Sequence, residues 1–244
     1  MFSKEFLDLS QYATSKSKDK FANINAIEPN PYFIGFGNPN TDILIVGQEL
    51  AIDPIKNPIA LEMESYRNPE QWNKIIKDKI TDIDYSFNGK NGFKNPRKPY
   101  TGIAKGTWRS YERIVEKIKN LKYSRNLEFF ENCFITEINR PVSKKQKGYI
   151  NCGERDLLME QEFFKTFPVV ILATGSYANR NKIEKVFNVK FSKESSNSEP
   201  HKRFEVYYSK NKDRTLINTR QLSNFRFSSE ERDSYFQKIA DKLK

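Results

Sequence analysis

Cysteine, histidine and methionine are scarce: the 244 residues contain two, one and three of them. Cys133 and Cys152 alone cannot build a four-thiolate cluster or a zinc knuckle, so free thiols in a reducing cytoplasm are the expected state. His201, the single histidine, stands in a Ser-, Glu- and Pro-rich stretch and reads as an exposed, inert side chain. No extended apolar run occurs, so neither a membrane span nor secretion is expected. No GxGxxG follows a strand pattern, which argues against a dinucleotide-binding fold. With no Ser/Gly-rich linker and no internal repeat, 1–244 reads as one domain, long enough to bury a well-formed core.

Positive charge, by contrast, is plentiful. Lys and Arg number 42 against 31 Asp and Glu, a formal charge of +11. Such an excess favours polyanions, because cations that neutralise phosphates release condensed counterions. Aromatics make up 14% of the chain, which suits a dense core and base stacking alike.

The apolar pattern alternates between two periods. Ile43-Leu44-Ile45-Val46 runs unbroken between Asn-Pro-Asn and Gly47, the pattern of a parallel strand covered on both faces. Strand one is placed at 42–46 and others at 132–138, 169–173 and 214–218. The last is joined to a strand at 204–208 by the hairpin-type turn SKNKD. Helical spacing appears in the first dozen residues and around Trp72, Ile75 and Ile76. It recurs after Thr107, read as a cap, with Tyr111, Ile114, Val115 and Ile118 on one side and Trp108 in the core. Further helices are expected at 154–167, with Leu157, Leu158, Phe163 and Phe164 buried, after 174–176, and at 229–243. Residues 51–100 are irregular and polar, with Pro54, Pro58, Pro69, Pro96 and Pro99, and read as an insertion over the active face. The alternation predicts a three-layer α/β/α sandwich with a central, mainly parallel four-stranded sheet.

Open α/β sheets bind ligands beyond the carboxyl ends of their strands. Gln48 and Glu49 stand at the first such end. Either they do chemistry there, or Gly47 turns the chain and Glu49 caps the next helix. Strand two runs into the basic loop RPVSKKQKG, whose Lys144, Lys145 and Lys147 are either nucleic-acid contacts or a solvated loop. Strand three ends in Thr174-Gly175-Ser176, whose amides suit an anion at a helix N-terminus or form only a turn. The fourth ends in TRQLSNFRF.

Four segments in this order, GFGNPNTDILIVGQELA, CFITEINRPVSKK, EQEFFKTFPVVILATGSYAN and TLINTRQLSNFR, resemble the motifs of the uracil-DNA glycosylase superfamily, nearest to its iron–sulfur branch. Together they cover most of 33–226. The resemblance implies a monomeric enzyme that flips a base out of DNA and hydrolyses its N-glycosidic bond. It implies catalytic roles for Glu49 and Gln48, with Gly47 beside the substrate, Tyr100 stacking on the base or packing on its own loop, and Asn139 near the base. Glu137 stands where the family's base-reading Asn would be. An ionised carboxylate only accepts hydrogen bonds, so it favours a base edge with donors or pairs with a Lys. Arg140 matches a motif Lys, and Lys144, Lys145, Ser176, Arg220 and Ser223 would contact phosphate. The last motif has no His; Gln221, Asn218 or Arg220 takes its place according to the alignment. Leu50 and Ala51 replace the first motif's Pro and its successor, and the cluster cysteines are missing, so no cofactor is expected.

Three functions follow from these residues. The first is a DNA glycosylase-like hydrolase acting on a damaged or modified base, in repair or in defence against foreign DNA. The second is a catalytically inactive nucleic-acid-binding module on the same fold. The third is a small-nucleotide hydrolase.

Overall fold

The computed structural model describes residues 1–21, 30–48, 67–83, 85, 107–122, 128–139, 153–199, 202–222 and 227–243. Most of 51–100, Cys152 and His201 lie outside them. Seven strands form one sheet: β1 (Phe36–Gly37), β2 (Ile43–Gly47), β3 (Phe134–Glu137), β4 (Val169–Leu172), β5 (Lys190–Asn197), β6 (Phe204–Tyr208) and β7 (Thr215–Thr219). Their order is β1-β3-β2-β4-β7-β6-β5. The middle four, β3, β2, β4 and β7, are mutually parallel, while β1 and the β6–β5 pair are antiparallel additions at the two edges.

The sheet is therefore mixed and seven-stranded, where the sequence pattern predicts four central strands and the hairpin strand at 204–208, which is β6. β1 has two residues, too few for any period to register. β5, Lys-Phe-Ser-Lys-Glu-Ser-Ser-Asn, is the last strand in the order, and none of its residues is buried on either face, so it has no apolar alternation. Its register slips between Ser192 and Asn197, where the Ser196 hydroxyl donates to Ser192 O and accepts from Val206 N.

Six helices cover the sheet among the described residues: α1 (Lys4–Phe21), α2 (Asn68–Lys77), α3 (Thr107–Lys119), α4 (Gly153–Met159), α5 (Arg180–Phe187) and α6 (Ser229–Leu243). Side chains alternate between faces along a strand, so β3 sorts the helices into layers. Phe134 packs against Phe6 of α1 and Trp72 of α2, and Thr136 meets Arg155 of α4. Glu137, on the opposite face, lies against Tyr111 of α3, and α3 is joined to α6 by Lys117 and Asp233 at 2.9 Å. Lys182 and Lys185 of α5 reach Asp156 and Glu160, which puts α5 beside α4. No helix among the described residues is long and apolar enough to cross a membrane.

Three local expectations change. The segment around Trp72 belongs to the core: Trp72 is fully buried and donates its indole N–H to Gly35 O at 2.9 Å, while Asn68 bonds Ile34 N and both polar groups of Gly35. The expected helix at 154–167 is broken by the extended Gln161 into α4 and a 3-10 turn, Glu162–Lys165. Leu158, Phe163 and Phe164 are buried as expected, but Leu157 falls on the outer side of α4 at 55% exposure. Finally, Trp108, expected in the core, is half-buried against Phe129 and Phe130.

Arg155 is buried and acts as a clamp. Its guanidinium donates to Glu137 O at 3.0 Å, to Thr136 Oγ1 at 2.8 Å, to Pro31 O at 3.2 Å and to Phe33 O. It ties 31–33 to the end of β3. Replacing Arg155 with Met keeps the length and removes every donor, leaving buried carbonyls unpaired. Urea denaturation should show a loss of about 3 kcal/mol or more. Leu157→Ala, two residues on and on the exposed side, should change stability by only about 0.5 kcal/mol.

Candidate functional site

Parallel strands in register end together, and four chain segments leave this sheet at one edge. Gly47 is level with Glu137 on β3, and Val46 is level with Leu172 on β4, itself level with Asn218 on β7. The pairing continues past the strands: Asn139 N donates to Gln48 O at 3.0 Å, and Gly175 N donates to Thr219 O at 2.9 Å. Gly47, Gln48, Glu137, Asn139, Gly175, Asn218, Arg220 and Gln221 therefore share one rim.

Side chains draw this rim together. Gln48 donates from Nε2 to Thr174 O at 3.0 Å, and Thr174 Oγ1 donates to Asn218 Oδ1 at 3.2 Å. Gly175 lies in the left-handed region at φ +61°, where side chains are strained. A Cβ there would lie 3.7 Å from Gln48 Nε2 and 3.9 Å from Gln221 N, so the Gln48 side chain and the Gln221 backbone both border Gly175. Asn139 and Asn218 are buried in the rim.

Glu137 turns inward. Its carboxylate occupies the space above Gly47: a Cβ on Gly47 would come within 2.1 Å of Glu137 Oε2 and 2.8 Å of the Tyr111 hydroxyl. Burial first, then the Glu137 charge and Cys133, push the Tyr111 hydroxyl well above its ordinary value. Tyr111 therefore stays protonated, a donor beneath the site. Its helical spacing marked it as core, and nothing local marked it as a neighbour of Glu137.

Ser176 stands apart from any helix N-terminus, a change from expectation. The chain makes turns after Thr174, and α5 begins at Arg180, capped by Asn179, whose Oδ1 accepts from Lys182 N at 2.9 Å. Ser176 instead lines a cleft of about 390 Å³ with Asn179, Arg180, Arg203, Glu205, Thr219 and Arg220. Its floor is Glu205, which receives Arg180 at 2.8 and 3.1 Å, Arg203 at 3.1 Å and the Tyr207 hydroxyl at 2.7 Å. Burial alone would raise the Glu205 carboxyl; the bonds from Arg180, Tyr207 and Arg203 outweigh it and hold the group below its usual 4.5. At the back of the cleft, Tyr235 shares a hydrogen bond with Thr219 and donates to Arg203 O at 3.0 Å. Burial lifts the Tyr235 hydroxyl to about 12 against the opposing pull of Thr219 and Arg220.

Arg180, Arg203 and Glu205 carry no sequence signal that marks them as a group. They converge only because β6 runs antiparallel to β7 and returns residue 203 to the rim. Of the other predicted site residues, Glu49, Tyr100, Arg140, Lys144, Lys145 and Ser223 lie outside the described residues.

Two outcomes test this geometry. Gly47→Ala must displace Glu137 or the backbone, and should cost about 1–3 kcal/mol in chemical denaturation. Glu205 has a depressed folded pKa, so its contribution to stability is complete above about 4.5 and lost as pH falls through the folded value. The stability gap between the parent and Glu205→Gln should accordingly shrink as denaturation is repeated from pH of about 6 down to about 3. No family model matches this chain, and no curated protein matches it either.

Proposed function

We propose that the chain is a base-releasing hydrolase of nucleic acid, resembling uracil-DNA glycosylases and acting on a damaged or modified base. The observation that supports this most is the shared rim: four parallel strands in the order β3-β2-β4-β7 end together, and the residues matched to the family's motifs that can be described meet there. Gln48, held through Nε2 by Thr174 O, presents its carbonyl oxygen to water or sugar. Glu49 follows it directly and supplies the carboxylate that orients the water and offsets positive charge on the sugar. Water adds to the anomeric carbon and passes a proton to the Glu49 carboxylate; the bond to the base nitrogen breaks, its electron pair leaves with the base, and the base anion takes up a proton from solvent. Arg220 and Gln221, whose backbone borders Gly175, are the groups assigned to the departing anion.

One observation favours the binding-module reading: the Glu137 carboxylate is buried at 6% exposure over Gly47, a packing role in place of base reading. A single assay decides between the two. Oligonucleotides carrying a panel of modified bases are incubated with the chain, and free base is read as alkali-sensitive abasic sites. The parent should release at least one base, and Glu49→Gln should slow release by about a hundredfold or more at nearly unchanged DNA affinity. Release from none of the panel, or equal rates in the variant, leaves a module that binds without turnover.

A further inference from the structure

The cleft outside the strand exits sets Arg180 and Arg203, to which the resemblance gives no role, beside Ser176 and Arg220, to which it gives phosphate contact. Three arginines, Arg180, Arg203 and Arg220, border it, and Glu205 is the one carboxylate among its lining residues. Arg180 and Arg203 share this single carboxylate, and one negative charge cannot neutralise two positive ones. Glu205 is largely buried, at 13% exposure of its side chain, whereas Arg180 and Arg203 remain 50% and 67% exposed. The carboxylate's Oε1 takes both guanidiniums and its Oε2 takes Tyr207, so the acid is spent on holding the bases in position. Arg180 is also fixed in plane, 3.8 Å above the Phe191 ring, and the Arg203 backbone is pinned by Tyr235. Two guanidiniums immobilised from behind and open in front bind an oxyanion at little further entropic cost.

We infer that this cleft is a phosphoryl-binding subsite, with Arg203 and Arg180 as its binding cations and Glu205 as the partner that orients both. Its volume of about 390 Å³ suits a phosphate with an attached sugar. The inference deepens the hydrolase reading and rests on it only for the source of the phosphate, a polynucleotide strand passing beside the base pocket. A free diphosphate-bearing small molecule has the same recognition chemistry. The β5–β6 hairpin, which widens the parallel core, thereby acquires a function: it carries Arg203 and Glu205 to the rim and Phe191 beneath Arg180.

Calorimetric titration of the full chain with inorganic pyrophosphate, a 5′-phosphorylated single-stranded hexanucleotide and a short duplex tests this without any turnover. Arg203→Ala should weaken binding about tenfold, as loss of a charge-assisted contact does. Lys190→Ala removes the same charge from an exposed residue absent from the cleft lining, and should change binding by less than about twofold. Unchanged melting temperatures confirm that both variants fold. Equal losses in the two variants reduce the effect to net charge and overturn the subsite, as does failure of all three probes to bind the parent. Arg203-dependent binding of pyrophosphate alone upholds the phosphoryl subsite and overturns the polynucleotide as its source. Absence of base release in the parent, with Arg203-dependent oligonucleotide binding intact, removes the hydrolase reading and leaves the subsite standing.

Discussion

Strand β2 is paired by backbone hydrogen bonds to β3 on one side and β4 on the other, and all five of its residues are buried. Its position is thus set within the sheet by ladders and across it by helices on both faces. Everything at the rim inherits that position. The chain leaves β2 at Gly47 and Gln48 at the level where Glu137 and Asn139 leave β3, because parallel ladders keep equivalent residues alongside each other. Ala173 N still bonds Val46 O one step beyond β4, and Gly175 N bonds Thr219 O beyond β7, so the alignment is carried into the loops.

Buried and half-buried charges serve opposite purposes at the two ends of this rim. Arg155 is enclosed and its donors meet carbonyl dipoles and a hydroxyl, so it works as a fastener between 31–33 and β3. Glu205 is also largely enclosed, but its partners reach outward into the cleft. The first arrangement holds backbone to backbone. The second holds charge in readiness, since the groups it orients are still half exposed or more. Glu137 lies between these cases: a carboxylate packed over a glycine, adding its charge to the burial that already raises the pKa of Tyr111. Only a glycine at position 47 admits that approach, which links the backbone of β2 to the electrostatics of β3.

Much of the fold was legible because burial leaves a period in the sequence. The four parallel strands, the buried side of α3 and the full span of α6 follow from apolar runs and helical spacing. The misreadings occur where burial and period part company. Leu157 is apolar yet exposed, because Gln161 breaks the helix and the turn that follows buries Phe163 and Phe164 in its place. β5 is polar yet a strand, because an edge needs only one partner. Trp72 sits in a polar, proline-rich stretch and still reaches the core, through a hydrogen bond to Gly35 that no local pattern announces.

The sequence by itself determined which strands are covered on both faces and where they end, and so placed Gly47 and Gln48 at the first exit, while the resemblance picked out Glu137, Asn139, Asn218, Arg220 and Gln221. Hydrophobic periodicity is a local property, and a strand's end is where that periodicity stops. Only the tertiary structure decided what those residues do to one another. Gln48 meets Thr174 across 126 positions of chain, and Arg180 meets Glu205 across 25. Electrostatic and hydrogen-bonded roles depend on distances through space, and those are set by strand order and direction. The antiparallel return of β6 brought Arg203 and Glu205 to the rim beside Arg180 and Arg220, and no spacing along the chain encodes it.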